Sequence, residues 1–157
     1  RGETFAGPSA GSFVLAVQDA VIAAENAVIA AESLGIGSCY IGDIMEQKEY
    51  HKTLFNLPEY VFPVAMLTLG YYPEDYMVPL KERFAEKYVV FEERYNELSK
   101  EDIDDMFRKR DQLFTAKNKY NAKNYAQMHY NFKVKAPFSK EMQRSVEEAL
   151  KEWDKKE

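Results

Sequence analysis

The longest apolar segment of the chain lies near its beginning, between Phe13 and Leu34. Its polar side chains form two rows with a seven-residue repeat: Gln18, Glu25 and Glu32, and Asp19, Asn26 and Ser33. This spacing predicts a helix with one narrow polar stripe, capped by Ser12 and ended by Gly35 in the left-handed conformation. Because its other faces are apolar, we expect the helix to be buried on most sides, in the core or against a second copy of the chain.

Two shorter patterns follow this helix. Residues 45–55 have polar, helical spacing, and Pro58 lies just beyond them. Residues 64–69 form a nearly continuous apolar run that ends at Gly70, which predicts a strand buried on both faces. Two helices and a buried strand form an α/β or α+β pattern. We expect an α+β fold of the α/β three-layer type, with helices packed on a sheet.

The last part of the chain is richer in charge and tyrosine. Ser99 and Asp102 form a capping-box pattern that predicts a helix, and a final helix is predicted from about Ser139. The segment between these helices has no clear period. We therefore expect residues 1–84 to belong to the main domain and residues 85–157 to form a helical extension that packs on another surface.

Composition narrows the classes of function. The chain has 157 residues, enough for one domain, and its net charge of -5 is unsuited to a nucleic-acid backbone. Its single cysteine, Cys39, excludes an internal disulfide and favours the cytoplasm. The polar residues of the first helix make it a poor bilayer span, and without a basic n-region and a proper cleavage site it does not resemble a signal peptide. We expect a protein without a membrane or nucleic-acid partner.

The glycine-rich segment after the first helix is the first candidate for chemistry. Gly35, Gly37 and Gly42 have the spacing GxGxxxxG, which matches neither the dinucleotide fingerprint nor the Walker pattern. We interpret the segment as a loop. Cys39 lies within it without a recognisable partner histidine, and a lone cysteine of this kind is typically a buried packing residue.

Charged side chains give a second candidate. Lys81 and Arg83 are two residues apart, so an extended backbone would direct both to one side, where they could hold a phosphate. The same pattern is common at solvated surfaces. Asp104 and Asp105 are most simply a solvated helix face. The sequence contains no pattern for a metal site.

Three segments in order resemble the FMN-dependent nitroreductase family: "DAVIAAENAVIAAESLGIGSCYIGDI", "LPEYVFPVAMLTLGYYPED" and "KER". The resemblance covers about residues 12–84 and is that of the C-terminal part of the domain followed by a C-terminal extension. It implies a nitroreductase-like fold with a mixed sheet, and a homodimer with FMN at the subunit interface. It also implies an oxidoreductase that passes a hydride from NAD(P)H through FMN to nitroaromatic or quinone-type acceptors.

The resemblance also implies which residues contact the cofactor: Tyr40, Ile41, Gly42, Asp43, Lys81 and Arg83. Tyr40 and Ile41 would lie against the isoalloxazine ring, and the backbone N–H groups of the next two residues would face its N5 and O4 atoms. The basic pair would hold the FMN phosphate. A donor at N5 stabilises negative charge on reduced flavin, so no catalytic side chain is required.

One feature of the family is not found in the sequence. Its first half, which carries an N-terminal basic motif and several strands, has no counterpart here. An alternative is therefore a non-catalytic dimerisation or interaction fragment without a complete flavin site. Another flavin reaction of the superfamily, such as reductive dehalogenation or flavin breakdown, is a third hypothesis.

Overall fold

The computed structural model describes residues 2–77, 79–115 and 117–154. Its elements are α1 (Ala10–Ser33), β1 (Gly37–Ile41), a 3₁₀ helix (Gly42–Met45), α2 (Lys48–Leu54), β2 (Met66–Gly70), a 3₁₀ helix (Glu86–Tyr88), α3 (Lys100–Gln112), α4 (Tyr125–Lys133) and α5 (Pro137–Trp153). Helices predominate over a small sheet, which confirms the predicted α+β class. The chain divides into two compact units: unit 1 (Arg1–Tyr76 with Pro137–Glu157) and unit 2 (Met77–Ala136).

Helix α1 begins one turn earlier than predicted. Its N-cap is Ser9, whose hydroxyl oxygen accepts from the Ser12 N–H at 3.2 Å, while Ser12 Oγ accepts from the Ser9 N–H at 2.7 Å. Ser12 is thus the second member of a capping box, and its prediction as the cap was wrong. The predicted end is confirmed, because Gly35 adopts a φ of 72° and its N–H bonds to the carbonyl of Glu32.

The burial predicted for α1 is not found within this chain. Only Phe13 and Ala31 of the helix are buried. Its large exposed apolar side chains are Val14, Leu15, Val21, Ile22 and Ile29. Among the described residues, α1 is the one helix long and apolar enough to cross a membrane, contrary to our expectation of a poor span. Core helices of water-soluble proteins meet the same criterion, so this does not assign α1 to a membrane.

The two strands pair antiparallel, with Gly37 opposite Gly70 and Ile41 opposite Met66. The interpretation of the glycine-rich segment as a loop was therefore wrong, because residues 37–41 are β1. The strand predicted at residues 64–69 is confirmed as β2, but its burial is not: Leu69 is 55% exposed. A sheet of two strands covers little of its own surface, which explains the difference.

Gly37 has a packing role in this sheet. A Cβ at Gly37 would lie 2.5 Å from ring atoms of Tyr72, too close for a normal contact. The ring of Tyr72 stacks in turn on Tyr76, with centroids 5.2 Å apart. The absence of a side chain at Gly37 therefore makes room for an aromatic residue that follows β2.

The core of unit 1 lies where α5 meets α1 and α2. The ring of Phe13 packs edge-on against Trp153 at 5.2 Å and contacts Phe62 at 6.0 Å between centroids. On α5, Ser145 and Ala149 are buried almost completely, with 0% and 1% exposure. Helix α5 begins two residues before the predicted Ser139, at a proline that suits the first helical position.

A cluster of charged side chains joins α5 to α2. The Arg144 guanidinium donates to both carboxylate oxygens of Glu49, at 3.0 and 2.8 Å, and to Glu141 at 2.9 and 2.7 Å. Hydrogen bonds from Arg144 lower the pKa of each carboxyl to about 2. Ser145 connects the cluster to the α2 backbone, since its hydroxyl accepts from the Lys48 N–H at 3.2 Å.

We predict that this cluster makes unit 1 sensitive to acid. Both carboxyls have a folded pKa near 2 and an ordinary value of 4.5, so their stabilisation is complete above about pH 4.5 and is lost as the pH falls towards 2. Arg144→Met should flatten the fall in melting temperature across this window. Lys140→Met, which removes one charge from an exposed position of the same helix, should leave the fall unchanged. Parallel profiles for all three proteins would contradict the prediction.

Unit 2 contains α3 and α4. The predicted capping box is confirmed: Asp102 accepts from the Ser99 N–H at 3.0 Å, and Ser99 Oγ accepts from the Asp102 N–H at 3.1 Å. Helix α4 was missed, because its spacing is irregular; Asn124 caps it by accepting from the Gln127 N–H.

In unit 1, the predicted helix at residues 45–55 is found as the shorter α2 after a 3₁₀ turn.

Candidate functional site

Tyr40 and Ile41 form the end of β1. The Tyr40 hydroxyl donates to a Glu25 carboxylate oxygen of α1 at 3.3 Å, and the side chain is 39% exposed. Partial desolvation and then the Glu25 charge raise the pKa of Tyr40, so it stays a neutral donor at physiological pH. Ile41 is half-buried. Because consecutive residues of a strand point to opposite faces, β1 ends with an aromatic side chain on one face and an aliphatic side chain on the other.

Gly42 and Asp43 are the first two residues of the 3₁₀ helix, and both are exposed. The first N–H groups of a 3₁₀ helix have no carbonyl acceptor within the helix itself. A Cβ built on Gly42 meets no atom within 4 Å. A ligand can therefore approach the backbone closely here, and no side chain has to move for it to reach the N–H donors.

Cys39 is exposed, so the expectation of a buried packing residue was wrong. Its thiol lies 3.7 Å from the Tyr40 carbonyl oxygen. Within the part of the chain that the structure describes, no group of His, Cys, Asp and Glu side chains could hold a metal ion. For binding, β1 and its 3₁₀ helix offer backbone donors and apolar side chains.

Lys81 and Arg83 belong to unit 2 and lie before the 3₁₀ helix Glu86–Tyr88, in a segment without regular secondary structure. Both are exposed. No carboxylate among the described residues lies within ion-pair distance of either side chain. Two cations left without a counter-charge on an open segment are suited to an anionic ligand. The structure thus places the Tyr40–Asp43 segment in unit 1 and the basic pair in unit 2.

Arg83 also lines a cavity of about 440 Å³ in unit 2 that was not predicted from the sequence. One wall is the segment 82–88 and the other is α3. The charged residues of its lining are Glu82, Arg83, Lys87, Asp105, Arg108, Lys109 and Arg110. The basic run at residues 108–110 is visible in the sequence, but only the tertiary fold places it in the same cavity as Arg83.

Asp105 differs from its expected role as part of a solvated face. It accepts from the buried Tyr88 hydroxyl, from Lys87 at 3.1 Å and from Arg108 at 2.6 Å. The hydrogen bond from Tyr88 and then that from Lys87 lower the pKa of Asp105. Its charge is therefore used to hold the cavity walls together, while its neighbour Asp104 is exposed as expected.

Comparison with known proteins supports the family resemblance. Residues 2–71 match the model of the nitroreductase family. A Cr(VI) reductase from Pseudomonas sp. (strain G-1) is 37% identical over 70 residues, which are 45% of this chain and 29% of that protein. Among solved structures, B. megaterium NfrA2 is 30% identical with a TM-score of 0.73, covering 99% of this chain and 61% of that one.

A third relative extends the likeness in fold. The NADPH:FMN oxidoreductase from Vibrio harveyi, complexed with NAD+, has a TM-score of 0.70 at 23% identity, covering 93% of this chain and 59% of that one. The two resemblances predicted from the sequence, to the nitroreductase family and to its fold, are confirmed. The chain spans less than a third of the curated relative and about three fifths of the two solved structures.

Proposed function

We propose that the full-length protein is an FMN-dependent oxidoreductase of the nitroreductase type. The observation that carries the proposal is the open backbone at Gly42 and Asp43, which directly follows a strand within the family-matching segment 2–71. An N–H group that faces a flavin without a side chain in the way fits the family's use of this position. When bound, FMN supplies the hydride chemistry between NAD(P)H and a nitroaromatic or quinone-type acceptor.

The residues of this chain would bind and orient the cofactor. Tyr40 and Ile41 would lie against the isoalloxazine and exclude water there. The N–H groups of Gly42 and Asp43 would donate to N5 and O4, favouring the electron-rich reduced ring. In unit 2, Lys81 and Arg83 would bind the phosphate, arginine through its planar fork and lysine as a point charge.

The proposal includes a homodimer in the cytoplasm. The exposed apolar side chains of α1 are its support, because a face of that kind is stable in water only when another surface covers it. A second subunit would cover this face and complete the flavin site. On this view residues 1–84 contribute to the flavin domain, and residues 85–157 are the extension that packs on the domain or on the partner subunit.

The alternative is a non-catalytic dimerisation or interaction fragment without a complete flavin site. The exposed face of α1 is equally consistent with it. The two proposals differ in one observable property, which is flavin binding.

The visible absorption spectrum tests the proposal. The full-length protein should keep flavin bands through gel filtration, or regain them when FMN is added, and should elute at the mass of a dimer. NADH or NADPH should bleach these bands without oxygen, and adding menadione or nitrofurazone should restore them. A protein that elutes from gel filtration without flavin bands after incubation with excess FMN would overturn the oxidoreductase proposal and leave the non-catalytic alternative.

We predict that Gly42→Ala weakens FMN binding without affecting the fold. The added Cβ meets nothing within 4 Å in this chain, so the melting temperature of the flavin-free protein should not change. If flavin approaches this backbone, the same methyl group should weaken its affinity by at least about tenfold, equivalent to ~1.4 kcal/mol. Fluorescence titration measures the affinity. Gly70→Ala is the matched control, since its Cβ also meets nothing within 4 Å. Equal FMN affinity of both variants would remove Gly42 from the site.

A further inference from the structure

The cavity in unit 2 is strongly basic. Five cationic and two anionic side chains line it, which leaves a net charge of +3 in a chain whose overall charge is -5. A concave surface with an excess of one charge raises the local concentration of ligands of the opposite charge. A volume of about 440 Å³ lies within the usual range for small-molecule sites.

Three of the five cations are already paired across or along the walls. Lys109 bonds to Glu82 at 2.6 Å, and Lys87 and Arg108 both bond to Asp105. The first of these pairs connects α3 to the opposite segment. These pairs neutralise both carboxylates of the lining and hold the two walls together.

The other two cations, Arg83 and Arg110, have no carboxylate partner among the described residues. The Arg110 guanidinium lies 3.7 Å above the centre of the Phe84 ring and donates to the Glu82 backbone carbonyl at 3.4 Å. These contacts fix the plane of the guanidinium without neutralising its charge. Arg83 is adjacent in sequence to the residue on which Arg110 stacks, and it is exposed.

We propose that this cavity binds the phosphoryl group of a small molecule, with Arg110 as the fixed donor and the exposed Arg83 as a second donor. A guanidinium offers two parallel N–H donors to phosphate oxygens, and a fixed one loses little freedom on binding. The ion pairs with Glu82 and Asp105 keep other cations in place at the rim. The proposal rests in part on the proposed function, because Arg83 is the residue given there to the FMN phosphate; Arg110 is not.

Two sources can supply the phosphoryl group: the flavin mononucleotide itself, or a separate phosphorylated compound. Inorganic phosphate tests the shared chemistry, and the pair FMN and riboflavin, which differ only in the phosphate, tests the source. Titration calorimetry with phosphate should show saturable binding to the full-length protein. Arg110→Gln and Arg83→Gln should each weaken it at least about tenfold. Arg94→Gln, an equal loss of charge in unit 2 outside the cavity, should not.

The outcomes are distinct. Loss of phosphate binding together with a lower FMN-to-riboflavin affinity ratio in Arg110→Gln identifies the cofactor's phosphate as the occupant. Loss of phosphate binding with an unchanged ratio identifies a separate phosphorylated ligand. Phosphate affinity that is absent, or equal in all three variants, overturns the proposal. A protein that binds phosphate at Arg110 but no flavin refutes the proposed function and leaves this site standing.

If Arg110→Gln loosens unit 2, its melting temperature will fall relative to the Arg94→Gln control. Arg83→Gln then decides, because Arg83 is exposed and its replacement leaves the stacking on Phe84 intact. Arg110→Lys gives a further check. It keeps the charge and loses the planar fork, so phosphate binding through that fork should fall while the charge of the cavity stays the same.

Discussion

Replacing Lys81 and Arg83 together by alanine should weaken FMN binding to the full-length protein by about 3–6 kcal/mol. Each charge-assisted hydrogen bond to a phosphate contributes roughly 1.5–3 kcal/mol, and both side chains are free of carboxylate partners in the described structure. Fluorescence quenching of FMN measures the change. Riboflavin, which has no phosphate, should bind the variant and the parent protein equally well.

The matched control for this pair is Arg94→Ala with Lys100→Ala, which removes the same charge from exposed positions of unit 2. It should bind FMN like the parent protein, at fixed ionic strength. If the control loses as much affinity as the double variant, the effect is long-range electrostatics and the two residues do not contact the phosphate. Unchanged FMN affinity in the double variant would remove both from the site.

Phe13→Ala should lower the free energy of unfolding of unit 1 by about 3–5 kcal/mol, the range for a buried aromatic side chain that leaves a cavity. Phe13 is 8% exposed and joins α1 to Trp153 of α5 through an edge-on ring contact. Urea unfolding followed by tryptophan fluorescence is suited to this test, because Trp153 is the one tryptophan of the chain and lies at the altered contact.

Leu54→Ala is the control for that experiment, since Leu54 belongs to the same unit but is 57% exposed. The expected loss in the free energy of unfolding is below about 1 kcal/mol, because truncating an exposed side chain removes little buried apolar area. Equal destabilisation by the two variants would show that the contact between Phe13 and Trp153 does not hold α5 in place.

Local signals in the sequence were sufficient for several elements. The capping box at Ser99 and Asp102 depends on residues three apart, and the left-handed Gly35 depends on its own lack of a side chain. Both follow from short-range chemistry, so they could be predicted without the fold. The cap of α1 was predicted at Ser12, whereas Ser9, one turn earlier, fills that role.

The elements that were missed depend on partners distant in the chain. Strand β1 contains Gly37 and exists because it pairs with β2, some thirty residues later. Helix α4 lacks an apolar period, and its first N–H is bound by the Asp111 carboxylate of the α3 helix at 2.9 Å. Burial was overestimated for α1 and β2. An apolar pattern predicts which face of an element is apolar, but it does not predict whether another part of the same chain packs on that face.

The candidate site was predictable to different degrees. The residues from Tyr40 to Asp43 came from the family resemblance, whereas the pair Lys81 and Arg83 was also indicated by its spacing; their roles at FMN stay proposals. Arg110 and the cavity could not be predicted, because they require the contact between α3 and the segment before it. A basic run on a helix is usually solvated, and only its position opposite Arg83 makes it notable.

The discontinuity of unit 1 has a consequence for protein synthesis. Its two parts, Arg1–Tyr76 and Pro137–Glu157, are separated by all of unit 2. On the ribosome, α1 and α2 therefore emerge long before α5, the helix that contacts Phe13 and Lys48, is made. The sides of α1 and α2 that pack on α5 therefore stay uncovered during the translation of some sixty residues, a state prone to aggregation and to capture by chaperones. Premature termination within unit 2 would make that exposure permanent.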